Sequence, residues 1–183
     1  MTETPGDSPA EPLSASAGHW VLDPQQSSAR ISHKTFWGLL TVQGSFSELS
    51  GEGDVGTDGS ITGKLVIGAA SVNTRNAKRD THLRSADFFK ADEHPTMVFT
   101  TREAKPDSSG HLAVTGDFEA AGVSRPLSFT ATITEATPEA ATLTAEADVD
   151  RHAYGMNWNQ LGMVAGHTKV NVVARFTKQQ PAA

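Results

Sequence analysis

From Ala141 to Val149 the chain alternates without a break: Ala141, Leu143, Ala145, Ala147 and Val149 are apolar, and Thr142, Thr144, Glu146 and Asp148 between them are polar. In extended chain successive side chains point to opposite faces, so this stretch is a strand with one dry side and one wet side. A helix would spread the same residues around its circumference. A strand of this kind needs partner strands for its backbone and an apolar layer for its dry face.

The same period recurs along the chain. Ala29, Ile31 and His33 oppose Arg30, Ser32 and Lys34 in a strand from about Ser27 to Thr35. Leu40, Val42, Gly44 and Phe46 form the dry face of a second strand, which the glycine-rich run Gly51 to Gly59 is expected to turn into a third carrying Ile61, Gly63, Leu65, Ile67 and Ala69. Met97, Phe99 and Thr101 follow, then Leu112, Val114, Gly116 and Phe118, then Leu127, Phe129, Ala131 and Ile133, and finally Val170, Val172, Ala174 and Phe176. Turn signals stand between them at Asp23 and Pro24, Pro106 to Gly110, Gly122 and Pro138. About eight strands and no long amphipathic helix predict an all-β domain, either a closed antiparallel barrel or a sandwich.

Two segments break the period. Arg75 to Phe89, RNAKRDTHLRSADFF, crowds charge together; Asn76 can cap a short helix near residues 76–86, and Asp80 and Arg84 have ion-pair spacing. It reads as a lid at one end of the β structure or as a solvated connection. Asp150 to His167 is the second irregular segment.

Length and composition bound the rest. The 183 residues suit one domain with a proper core. Residues 1–18 hold three acids, no Lys or Arg and many Pro, Ser and Ala, and read as a disordered tail; the domain is expected over 19–178, with a short disordered end at 179–183. A formal charge of −6 gives no nucleic-acid footprint. The absence of cysteine excludes disulfides and thiolate chemistry. With no leader-like start and no apolar run long enough for a transmembrane helix, the expected location is cytoplasmic.

No serine-hydrolase elbow, phosphate loop, dinucleotide fingerprint or zinc-helix motif is present, so no catalytic residue, cofactor or metal is assigned. His33, on a dry face, reads as a hydrogen-bonded core residue. What stands out is a mixture of inward phenyl rings (Phe46, Phe99, Phe118, Phe129, Phe176) with small residues (Ala29, Gly44, Gly63, Ala69, Gly116, Ala131, Ala145, Ala147, Ala174), which predicts an elongated apolar lumen. The lumen's walls should also include Ile31, His33, Val42, Leu65, Ile67 and Leu143, with Phe88, Phe89, Trp158 and Met163 from the irregular segments. Arg75, Lys78, Arg79 and Arg84 would stand at its mouth, either meeting an anionic head group or paired with Asp80, Asp87 and Asp92.

The segment AASVNTRNAKRDTHLRSADFFKADEHPTMVFTT, from Ala69 to Thr101, resembles the signature region of the YceI-like family of lipocalin-like, polyisoprenoid-binding proteins. Ser71, Thr74, Arg79, Asp80, His82, Leu83, Arg84, Ser85, Asp87, Phe88, Pro95 and Phe99 carry the match. It extends back through Asp23, Pro24, Ser27, Gly44, Phe46 and Gly51, and forward through Gly116, Gly122, Val123, Arg125 and Pro126 to Asp150, Arg151, Tyr154 and Gly155.

The resemblance implies an eight-stranded antiparallel lipocalin-like barrel that holds a long isoprenoid lipid, a polyprenyl pyrophosphate or an isoprenoid quinone, as a carrier or sequestering protein without catalysis. It leaves room for a homodimer and for transient membrane contact. It makes Arg79, Asp80, His82, Arg84, Arg151 and Tyr154 the head-group candidates, with Tyr154 and Trp158 able to flank a quinone ring. Where relatives commonly carry histidine near the first strand this chain has Gln26 and Thr35, so those roles do not carry over. Two other readings stand beside it: an enzyme acting on an isoprenoid or another small apolar metabolite through His82, Asp80 and Tyr154, and a stress-related barrel with a filled core.

Overall fold

The computed structural model describes residues 16–180. The expected disordered ends therefore fall mostly outside the described residues, at 1–15 and 181–183. Eleven strands and one α-helix follow in order: β1 (Gly18–Leu22), β2 (Ser28–Thr35), β3 (Leu40–Phe46), β4 (Leu49–Val55), β5 (Ile61–Gly68), β6 (Val72–Asn73), α1 (Ala77–Arg84), β7 (Thr96–Pro106), β8 (His111–Ala120), β9 (Val123–Ala136), β10 (Ala140–Asp150) and β11 (Val164–Lys178).

All the strand pairs are antiparallel, and β1 closes the sheet by pairing with β4 on one side and with the end of β11 on the other, giving an eight-stranded barrel. Closure leaves that half of the barrel with no open edge. On the other half β2 and β3 take over from β1 and β4: β2 pairs with the first part of β11, β3 with β2, and β6 with β3.

The break between β1 and β2 is an Asp-centred turn. Asp23 accepts from Gln25 N at 2.9 Å and from Gln26 Nε2 at 2.8 Å, and these bonds, the one from Gln26 first, hold its carboxyl below the ordinary aspartate range.

The Gly51 to Gly59 run behaves differently from expectation. Gly51 and Gly53 are inside β4, opposite Leu65 and Gly63, and the turn is confined to the residues after Val55. The reason is close backbone approach: a Cβ on Gly53 would stand 2.9 Å from the Thr62 carbonyl oxygen, and one on Gly63 2.7 Å from that of Glu52. The expected second strand is β3, and β4 is an additional strand where a turn was expected.

Helix α1 starts where Asn76 accepts from Arg79 N at 3.0 Å, as its sequence predicts. The expected Asp80 to Arg84 ion pair does not form, because each side chain is engaged elsewhere. Asp80 is buried and accepts from Thr74 N at 2.9 Å and from Thr74 Oγ1 at 2.6 Å. Arg84 donates to the carbonyls of Ala70 at 2.8 Å and Val72 at 3.1 Å. Leu83, Phe88 and Phe89 seat the insertion on the core beside Phe46, Ile67 and Met97. The charged insertion is therefore a lid held by buried polar bonds and by apolar contacts.

Candidate functional site

The barrel encloses two adjoining apolar chambers. The narrower, of about 270 Å³, lies in the closed half and is lined by Leu65, Phe99, Phe129, Leu143, Phe176 and the alanines 131, 145, 147 and 174. The wider, of about 1020 Å³, lies under α1 and is lined by Ile31, His33, Val42, Phe46, Phe88, Phe89, Trp158 and Met163. Ile67, Phe118, Val149 and Val170 belong to both walls and form the waist between them. Phe118 is steadied there by the edge of Tyr154, with ring centroids 5.4 Å apart.

The large side chains expected on the lumen wall line one of these chambers, as do Gly63 and the alanines 131, 145, 147 and 174, whereas Ala29, Gly44, Ala69 and Gly116 line neither. Not all the small residues on the inward faces make the hollow. Three of its glycines mark close packing instead of vacated volume: a Cβ on Gly44 would meet Thr74 Cγ2 at 2.9 Å, one on Gly116 the Phe99 ring at 2.7 Å, and Gly63 faces the β4 backbone. The alanines of β9, β10 and β11 are what leave room. A filled core does not describe this interior.

The head-group candidates separate into two sets. Arg79, His82, Arg151 and Tyr154 reach the wide chamber. Asp80 and Arg84 do not line it, for the reasons given above. Arg79 is fixed by Nε to Thr74 Oγ1 at 2.7 Å and Nη2 to the Thr74 carbonyl at 2.9 Å. Lys78, exposed, shares its stretch of wall, and among the described residues no carboxylate lines this chamber.

Arg151 is a clamp. Buried to 4% exposure, it donates to the carbonyls of Ala165 (2.8 Å), Met156 (2.5 Å), Trp158 (2.8 Å) and Val164 (3.3 Å), folding the whole 151–165 connection around one guanidinium. Burial pulls its pKa below the usual arginine value, with Asp150 opposing.

His33 donates to or accepts from Thr168 Oγ1 at 2.7 Å, as a core histidine should, while its Nε2 is buried without a partner. Burial, with Arg151 adding to it, pushes its pKa below the ordinary histidine value. Burial raises that of Tyr154. His82 pairs with Asp87 at 2.8 Å. Asp80 is bonded to Thr74 and His82 to Asp87, and among the described residues no hydrogen bond joins Asp80, His82 and Tyr154. Among the described residues no three His, Asp or Glu side chains are disposed to hold a metal ion.

Sequence reasoning missed Phe36 and Leu40 at the mouth and Met156 in the wall. Phe36 falls out of the two-residue period, and nothing in Met156's neighbourhood sets it apart.

The profile of the YceI-like domain matches residues 20–176. The chain belongs to the YceI-like family. Among relatives of this YceI-like chain, a UPF0312 protein of Vibrio vulnificus is 30% identical over 125 residues, 67% of this chain and 66% of its own length, so the match spans about two thirds of each. A UPF0312 protein of Shewanella baltica is 30% identical over 129 residues, 69% of this chain and 68% of its own. Among solved structures, BcnA of Burkholderia cenocepacia superposes with a TM-score of 0.76 at 16% identity, covering 84% of this chain and 98% of that one. A polyisoprenoid-binding domain from Saccharophagus degradans, implicated in plant cell wall breakdown, gives 0.71 at 15% identity over 87% and 98%. At these identities the likeness establishes the YceI-like barrel and nothing about its contents.

Proposed function

We propose that this YceI-like protein binds a long-chain isoprenoid lipid and carries or sequesters it without chemical change. The observation that carries the reading is the pair of adjoining apolar chambers, the wider at the upper end of the roughly 300–1,000 Å³ typical of ligand pockets. A prenyl tail would thread the waist and occupy both. Each five-carbon isoprene unit taken from water gains on the order of 4 kcal/mol gross, at about 0.8 kcal/mol per buried carbon, before ordering costs. A few units suffice without many polar contacts.

Arg79 and Lys78, on a wall free of carboxylates, support an anionic head group such as a pyrophosphate over a quinone. Arg84 and Arg151, both engaged with carbonyls, hold the lid and the 151–165 connection. The structural neighbour described as polyisoprenoid-binding supports the ligand class.

The test is equilibrium binding of a prenyl pyrophosphate and the prenyl alcohol of equal length, with released pyrophosphate assayed in parallel. Expected are tight binding of the pyrophosphate, weaker binding of the alcohol, no pyrophosphate release, and loss of both ligands in Ala145→Trp, which fills the narrow chamber. Undiminished binding in a folded Ala145→Trp protein would overturn the reading.

A further inference from the structure

We propose that the tip of the β2–β3 hairpin, with Leu161 beside it, docks the mouth of the wide chamber onto the surface of an anionic lipid bilayer. The observation is an accumulation of exposed apolar side chains in one place. Trp37 is 70% exposed, Leu39 82%, Leu40 55%, Phe36 45% and Leu161 79%; among the described residues only Val173 joins them as a large exposed hydrophobic. Scattered singly, such residues need no explanation, but contiguous ones mark an interaction surface.

These residues share an opening. Phe36 and Leu40 line the wide chamber, as do Gln160 and Met163 on either side of Leu161, whereas Trp37 and Leu39 project beyond it. The backbone is committed to that display. Phe36 and Trp37 hold φ of 49° and 54°, and Leu161 55°, left-handed values that bulky side chains avoid. Two successive left-handed residues before Gly38 shape the tip, on which Phe36 lines the chamber while Trp37 stands exposed outside it.

Charge decides the occupant. Lys34 precedes the tip, Lys78 and Arg79 stand on the chamber wall, and no described carboxylate lines it. The opposite end of the barrel carries Glu52 and Asp54 among its lining residues against one base, Lys64, which pairs with Glu52 at 3.1 Å. A surface that is apolar at its point and basic around its rim matches an anionic bilayer, where Trp and Leu enter the interfacial layer and Lys reaches the head groups. A second copy of this chain would bring two basic rims together. The docking surface stands on the exposed tip by itself; that lipid passes through the docked mouth rests on the function proposed above.

The experiment is flotation of the full chain with vesicles of phosphatidylcholine alone and of phosphatidylcholine with phosphatidylglycerol, for the natural protein and for a Trp37→Ser, Leu39→Ser double variant. Neither residue lines the chamber, so the variant's uptake of a prenyl pyrophosphate from solution should match the natural protein's, and this arm separates failure of docking from failure of lumen binding. Expected are binding to the anionic vesicles that weakens with salt, a loss of about tenfold or more in the variant, and quenching by bromine-labelled lipid chains that disappears with Trp37. Equal flotation of natural and variant protein, or no flotation of the natural one, would overturn the proposal. So would a dimer in solution that the double substitution dissociates, because the tip would then be covered by a second copy.

Discussion

The imidazole of His82 stands edge-on to the indole of Trp158, with ring centroids 4.5 Å apart and planes at 88°. Phe88 completes the group, its centroid 5.1 Å from His82 and 5.7 Å from Trp158. The cluster joins α1 and its following loop to the connection between β10 and β11, and all three rings line the wide chamber. It latches the lid.

Replacing Trp158 by alanine therefore removes the shared member of two ring pairs. With two pairs at about 0.5–1.5 kcal/mol each added to the lost burial, the unfolding free energy should fall by about 3 kcal/mol or more in urea titrations. A bound prenyl lipid should also leave faster, which a dissociation time course would show.

Arg151 offers a sharper stability test. Its removal takes the donor from the buried Met156 carbonyl and from the half-buried carbonyls of Trp158 and Ala165, leaving Val164 only its bond from Asn159, so Arg151→Ala should cost about 3–5 kcal/mol. Arg151→Lys should recover little, since an ammonium lacks the planar fork that reaches both sides of the 151–165 connection. Urea midpoints of the two variants would then lie close together.

His33 gives the fold a specific acid sensitivity. Its folded pKa lies below the ordinary 6.5, so between the two values the unfolded chain binds a proton that the folded chain refuses. The stability this neutral imidazole contributes is intact above the unfolded pKa and lost as pH falls through the folded one. His167 works in the other sense: its hydrogen bond to Asp148 raises its pKa, and that contribution is present below the unfolded value and lost as pH rises through the folded one. His33→Leu should remain offset by the stranded Thr168 hydroxyl at every pH, yet lose less stability than the natural protein between about pH 7 and pH 5. Urea titrations at the two pH values check it.

Phe118 lines both chambers, and on the proposed reading it sets how far a prenyl tail threads. Phe118→Ala should widen the waist and shift preference toward longer prenyl tails, and Phe118→Trp should confine ligands to the wide chamber and favour shorter ones. Competition between prenyl pyrophosphates of different length would read the shift.

The dry faces were legible because β-strand alternation is a local property that each side chain declares. Leu143, Phe129 and Phe176 needed no other information to be placed on the lumen wall. Bulges were not legible: the pairing of β7 with β8 slips between Thr101 and Glu103, which brings Ala104 to the inside and leaves Arg102 to bond Asp117. Nor were the partners of the lid's charges. Spacing along a helix put Asp80 near Arg84, but Thr74 competes from outside the helix with two buried donors, and backbone carbonyls take the guanidinium. Strand β4 escaped notice because glycine signals a turn and a close strand crossing alike.

Native mass spectrometry of the freshly purified full chain measures occupancy of the chambers directly. Expected is a population heavier than the polypeptide by one prenyl lipid, identified after solvent extraction, or one-to-one uptake of an added prenyl pyrophosphate by emptied protein. Bare polypeptide that takes up no prenyl lipid would contradict it.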